Sequence, residues 1–396
     1  MDTIGTIVRG VRAPIFKQGD NLVELVANSV IAASEQNNVK MQDKDVVAVT
    51  EAVLARTQGN YATCDQIAKD VRAKTGGGVV GLLFPIFSRN RFSMLLSGIS
   101  KGVDKLIIQL SYPADEVGNP LFDISLLDEK GINPYANSFT EEEFRKIFPT
   151  TVHPFTGVDY INYYKKLAGD NCDCQIILSN DTTEILKYAD TIICADIHSR
   201  ERSRKLLKKK GATTVLTLAD LMNKPVDGSG YHEQYGLYGS NLATDNSVKL
   251  FPRDSQIFVD ALQKRLSDYS GKKIECMIYG DGAFKDPVGG IWELADPVVS
   301  PAYTSGLIGQ PNELKLKYIA DNDLKDLKGE DAIVAMKKMI KNKAADLTNQ
   351  AVSLGTTPRK LTDLIGSLCD LTSGSGDKGT PIIWIQNYFK NFSDND

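Results

Sequence analysis

The sequence predicts a mixed α/β protein, and three observations carry that expectation. From Val79 to Asn223, short β-branched or apolar runs alternate with stretches of helical period, the rhythm of a layered sheet flanked by helices. Strand-like runs also stand towards both ends of the chain, at Val46–Thr50 and Pro381–Ile385. The 396 residues are 42% hydrophobic and 24% charged, an ordinary globular balance with enough apolar material for more than one core.

Composition also excludes function classes. A net charge of −4 gives no general affinity for nucleic acid. The basic run Arg200–Lys210 reads as the solvated face of one helix. No apolar run approaches the roughly 18 residues of a membrane helix. Met1-Asp2-Thr3-Ile4 lacks the basic and apolar segments of a signal peptide, so a cytoplasmic protein with neither membrane nor nucleic-acid partner is expected. Cys172 and Cys174 are too closely spaced for a zinc knuckle and have no second pair, so free thiols are expected. The three histidines, His153, His198 and His232, support neither a His-rich metal site nor a serine-type triad.

In chain order, Ile4–Val8 alternates as a half-buried strand does. A proline turn at Pro14 follows, and Asp20-Asn21 caps a helix with Leu22, Val26 and Val30 on its apolar side. Val46–Thr50 is a strand, and Glu51–Arg56 reads as its continuation up to Gln58-Gly59-Asn60. Thr63–Thr75 is a helix stopped by Gly76-Gly77-Gly78. Strands are then expected at Val79–Phe84, Lys105–Leu110, Cys174–Leu178, Thr191–Cys194 and Thr213–Leu216. Helices are expected at Arg91–Lys101, Asp159–Leu167, Thr182–Tyr188, Ser199–Lys210 and Leu218–Asn223. Ser111–Phe155 is rich in Pro and Gly and reads as loop. Asn223–Gly230 reads as a domain boundary, and Asp254-Ser255 caps a helix Gln256–Tyr269. Asp331–Lys341 and Lys360–Leu371 are helices. Trp292 and Trp384 lie in apolar settings and are expected in the core. Lys285, Asp286 and Glu293 can line a site or stand as solvated loop charges, the commoner case.

Two stretches carry chemistry. Ile274–Gly282 is a buried strand running into Gly280-Asp281-Gly282. A carboxylate at a strand end between glycines suits a divalent cation held against phosphate, and equally a plain Asp-Gly turn. Thr372–Thr380, rich in Gly and Ser with Lys378, can present N–H groups and hydroxyls to phosphate or serve as a flexible connector. It lacks the Walker pattern, because Lys378 precedes Gly379 and a strand.

The order of the pieces resembles the coenzyme F420-0 γ-glutamyl ligase family. The similar segments are Arg9–Leu22, Asp45–Gly59, Gly239–Pro252, Lys273–Gly282 and Gly374–Ile385. The resemblance implies a ligase-like α/β domain from residues 1–78 plus 231–396, interrupted by an inserted layered α/β domain at 79–230. It implies ligation of L-glutamate to a carboxylate-bearing small molecule such as coenzyme F420-0 or a folate-like acceptor, with GTP as co-substrate, Mg²⁺ or Mn²⁺ as metal, and a homodimer. It implies that Asp281 and Arg56 are catalytic and that Asp245, Asp281 and Ser375 hold the metal. Nucleotide contacts are implied for Ala13, Pro14, Ile15, Phe16, Glu51, Ala52, Arg56, Gly374, Ser375, Gly376, Asp377, Lys378 and Gly379. The chain departs from the family at Arg56, where the family has Lys, at Gln58 for Glu, and at Gly282 for a threonine metal ligand. Ser375 stands near the family's acidic ligand, with Asp377 close by. Gly282 and Ser375 favour a second reading, a nucleotide- or ligand-binding protein of the same fold without catalysis.

Overall fold

The computed structural model describes residues 4–89, 91–154, 156–281, 298–353, 360–373 and 376–394, with backbone alone at Asp281, Val298 and Val299. Trp292, Lys285, Asp286 and Glu293 therefore lie outside the described residues. In chain order the strands are β1 (Ile7–Val11), β2 (Val46–Thr50), β3 (Tyr61–Thr63), β4 (Val79–Leu83), β5 (Lys105–Leu110), β6 (Phe139–Thr140), β7 (Asp173–Leu178), β8 (Thr191–Cys194), β9 (Thr214–Thr217), β10 (Asn241–Thr244), β11 (Ser247–Lys249), β12 (Glu275–Asp281), β13 (Val298–Tyr303) and β14 (Ile382–Gln386). The chain forms two compact units, Met1–Thr57 with Asp254–Asp396, and Gln58–Arg253. Among the described residues no helix is long and apolar enough to cross a membrane.

The first unit is built on a five-stranded sheet ordered β1-β14-β2-β12-β13. β2 and β12 run parallel, and the other neighbours are antiparallel. The side chains of β2 and β12 alternate between two cores, as the strand period requires. Val47, Val49, Cys276 and Ile278 face helices Leu22–Gln36 and Ser255–Ser270. Val46, Ala48, Met277 and Tyr279 face helix Leu361–Thr372. With both faces covered, β2 reads as a near-continuous apolar run rich in β-branched residues. Burying each of its large apolar side chains contributes roughly 1.5–3 kcal/mol. Trp384 is a core residue, as expected, and its indole N–H donates to the buried Asp45 carboxylate at 2.9 Å. The Gln386 amide donates to the same oxygen at 2.8 Å. Burial pushes this carboxyl up, against those hydrogen bonds.

Local signals set the helix ends. Asn21 caps Leu22–Gln36 by accepting the Glu24 N–H. Thr63 and Gln66 form a reciprocal capping box at the start of Cys64–Thr75, and Gly76, at φ 80°, ends it. One expectation fails here: Glu51–Thr57 is a helix and does not extend β2. The β-branched run stops at Thr50, and Ala52, Leu54, Ala55 and Arg56 are good helix formers. The stretch read as loop between Ser111 and Phe155 contains helices Ser125–Lys130 and Glu141–Ile147. Thr182–Tyr188 and Leu218–Asn223 shorten to single 3₁₀ turns.

The second unit carries a six-stranded sheet ordered β6-β7-β5-β4-β8-β9 and a three-stranded sheet ordered β10-β11-β3. In the larger sheet, β4, β5, β7, β8 and β9 are parallel and β6 joins one edge antiparallel. The parallel strands thus lie in the spatial order third-second-first-fourth-fifth, a doubly wound arrangement. Helix Cys64–Thr75 packs closely on helix Ser93–Lys101 in this unit, because Gly98 leaves room for Ile67. The Cys172 and Cys174 thiols are free, and burial pushes them up to about 11 and about 12, so both stay protonated at neutral pH.

At the end of β8 the Asp196 carboxylate is fully buried and accepts the Ser199 and Ser203 hydroxyls, each at 2.7 Å. Desolvation pushes it from 3.8 up to about 6, and the nearby Glu116 charge adds to the rise. A carboxyl raised in the folded state stabilises the fold when protonated. That contribution is complete below 3.8 and is lost as pH rises through about 6. The gap corresponds to ~3 kcal/mol. Urea melts of the wild type and Asp196→Asn at a series of pH values are expected to diverge between about pH 4 and 6, with the wild type losing ground as pH rises. Parallel curves would show that Asp196 titrates alike in both states.

Candidate active site

The first unit brings four separated segments to one edge of its sheet. β2 and β12 are parallel, with Thr50 opposite Tyr279, so the chain leaves both strands on the same edge. β14 is antiparallel to β2, with Ile382 opposite Val49, so it enters the sheet at that edge. β1 is antiparallel to β14, with Val11 opposite Ile382, and leaves there too. The edge therefore collects residues after Val11, the helix Glu51–Thr57, the end of β12 at Gly280-Asp281, and the loop before β14. Open strand ends of this kind are where backbone groups and helix starts are free to meet a ligand.

Hydrogen bonds tie these segments together. The Thr50 N–H donates to the Pro381 carbonyl at 3.1 Å, and the Ala13 N–H to the Gly379 carbonyl at 3.3 Å. The Gly19 N–H donates to the Thr57 carbonyl at 2.9 Å. Arg56, in the last turn of its helix, donates from Nε to the Phe16 carbonyl at 2.7 Å. Gly10 lies against Thr380, which a Cβ at position 10 would meet at 3.0 Å.

Most of the residues predicted from the sequence stand on this edge. Ala13 is half-buried, Pro14 and Ile15 are exposed, and Phe16 is buried in the core with Val53 and Leu54. Glu51 opens its helix and is 3% exposed, with half-buried Ala52 after it. Gly376, Asp377, Lys378 and Gly379 form an exposed turn, with Gly379 at φ 64°. Gly374, Ser375, Gly282 and the Asp281 side chain lie outside the described residues. Asp245 belongs to the second unit, where it is exposed at the turn between β10 and β11.

Gly280 stands at this edge for a reason that the turn reading of Gly-Asp-Gly does not give. The Glu51 side chain crosses its bare Cα, and a Cβ there would meet Glu51 Cγ at 2.0 Å. Its only sequence signal is a glycine inside a strand, which marks a close approach. Among the described residues no group of three or more His, Cys, Asp or Glu side chains is placed to hold a metal ion. The edge nonetheless offers oxygen donors, the carboxylates of Glu51 and Asp377 and the carbonyls of its loops. Such hard donors fit Mg²⁺ or Mn²⁺ and are unsuited to soft metals.

A family model described as F420-0:Gamma-glutamyl ligase matches residues 10–387, a span that runs through both units. No curated protein matches the chain.

Proposed function

The chain belongs to the F420-0:Gamma-glutamyl ligase family, and from that premise we propose that it joins L-glutamate, or a related amino acid, to a carboxylate-bearing small molecule at the expense of a nucleoside triphosphate. Coenzyme F420-0 or a folate-like acid is the acceptor class, GTP the co-substrate and Mg²⁺ or Mn²⁺ the metal. The observation that supports this reading is the meeting of Ala13–Phe16, Glu51–Arg56, Gly280-Asp281 and Gly376–Gly379 on one sheet edge, although they are far apart in sequence.

Amide formation from a carboxylate needs a better leaving group than oxide, which phosphorylation of the acceptor provides. The attacking amine then displaces phosphate. A divalent metal, when bound, would supply positive charge against the phosphate oxygens. In this chain Asp281 would hold it, with Ser375 or Asp377 from the glycine loop. The N–H groups of that loop and the Arg56 guanidinium bind and orient the phosphates. The segment Ala13–Phe16 borders the nucleotide.

The test is nucleoside diphosphate release from GTP and from ATP with Mg²⁺ or Mn²⁺, run with and without glutamate and a panel of carboxylate acceptors. Release that depends on both substrates is expected. Release unchanged by either rejects ligation for that panel. Nucleotide binding without turnover supports the binding-protein reading that Gly282 and Ser375 favour.

A further inference from the structure

The guanidinium of Arg56 has two ends, and the structure uses only one. Nε donates to the Phe16 carbonyl at 2.7 Å. Among the described residues Nη1 and Nη2 have no hydrogen-bond partner, and the residue is exposed. Phe16 is itself fixed, because its ring is 5% exposed in the core beside Val53 and Leu54. The segment from Ala13 to Gly19 is thus held at three points: Ala13 to the glycine loop through the Gly379 carbonyl, Phe16 to Arg56, and Gly19 to the Thr57 carbonyl. Between the first two points Ile15 is 82% exposed. The segment is a strap strung from the glycine loop to the helix that carries Arg56.

We propose that Arg56 is a positioning residue as well as a phosphate contact, with Nε bracing the Ala13–Gly19 strap while Nη1 and Nη2 face the phosphates of the nucleotide. This role rests on the nucleotide-dependent function proposed above. A guanidinium suits the double task because its donors lie in one rigid plane and point in different directions. A lysine at this position would bring all its donors from one nitrogen on a flexible stem. It can meet a phosphate or the Phe16 carbonyl, but it cannot hold the two at a fixed spacing. With Nε already on the Phe16 carbonyl, the strap is braced before nucleotide arrives, with less ordering left to do on binding.

Two measurements on the full chain test this. Hydrogen exchange without nucleotide reads the brace alone: the Gly19 amide and its strap neighbours are expected to exchange about tenfold faster in Arg56→Lys than in the wild type. Calorimetric titration with Mg²⁺ and GTP, or Mg²⁺ and ATP, reads both ends. Arg56→Lys is expected to weaken Kd by roughly tenfold or more, and Arg56→Ala by more again. Added guanidinium ion is expected to restore part of the affinity of Arg56→Ala and none of that of Arg56→Lys. A general loss of structure would not respond to guanidinium in this way. Wild-type affinity and wild-type strap exchange in Arg56→Lys would overturn the positioning role and leave the proposed function standing. Wild-type protein that binds neither nucleotide would overturn the function, and the phosphate-facing role with it, even where the exchange result shows the brace.

Discussion

Asp281→Asn is expected to abolish nucleotide-dependent product formation while the protein stays folded. The strand that carries residue 281 is held by its backbone, in register with β2 on one side and β13 on the other, and an amide changes none of those bonds. Asparagine also keeps the size and shape of aspartate. It removes one negative charge, the charge that makes a strand-end carboxylate a ligand for a hard cation. Metal-based stabilisation of a phosphoryl-transfer transition state contributes several kcal/mol, so the loss is expected on the order of a thousandfold in rate. Product formation from glutamate and acceptor, followed beside thermal melts of both proteins, provides the check. A variant as active as the wild type would remove Asp281 from the mechanism. Equal loss of activity and of melting temperature would make the residue structural.

Asn60→Ala is expected to destabilise the second unit strongly. The Asn60 side chain is fully buried. Its Nδ2 donates to the Phe251 carbonyl at 2.7 Å, and its Oδ1 accepts the Tyr231 N–H at 2.9 Å and Arg253 Nη1 at 2.6 Å. One amide thus joins the strand region before β3 to two stretches some 170 to 195 positions further on. Gly230 belongs to the same knot, since a Cβ there would stand 2.3 Å from Asn60 Oδ1. Alanine removes the bonds to the Phe251 carbonyl and from the Tyr231 N–H, and leaves Arg253 Nη1 with the Tyr231 carbonyl at 3.2 Å alone. Each unmet buried group costs roughly 1–3 kcal/mol and the costs overlap, so a total of about 3–5 kcal/mol is expected. Urea denaturation followed by a probe in the second unit measures it. A loss below about 1 kcal/mol would show that water replaces the amide.

Local signals written in the sequence largely fixed the secondary elements. Lys105–Leu110 and Thr191–Cys194 are strands with the bounds that their apolar runs predict, because both faces of their sheet are covered. Asn21, Thr63 with Gln66, and Gly76 set helix ends by hydrogen bonds within a few residues. Where neighbours far along the chain decide, the reading weakens. Glu51–Thr57 turns helical where the strand pattern ends, and the hairpin of β10 and β11 is completed by pairing with β3, far back in the chain.

The candidate site divides in the same way. Residue types were legible: a carboxylate between glycines at Asp281, a glycine-rich loop before a strand, an arginine after a β-branched run. Their order along the chain was enough to expose the family. That they share one edge was decided by strand pairing, which places Gly10 opposite Ile383 and Thr50 opposite Tyr279. Pairing over such separations is set by which faces become buried and in which register, and no short window of sequence contains that information. The brace from Arg56 to the Phe16 carbonyl and the passage of Glu51 across Gly280 follow from it. Sequence alone supplied the chemical groups and their local conformations. Only the tertiary structure supplied the distances between them, because those distances are the product of non-local packing.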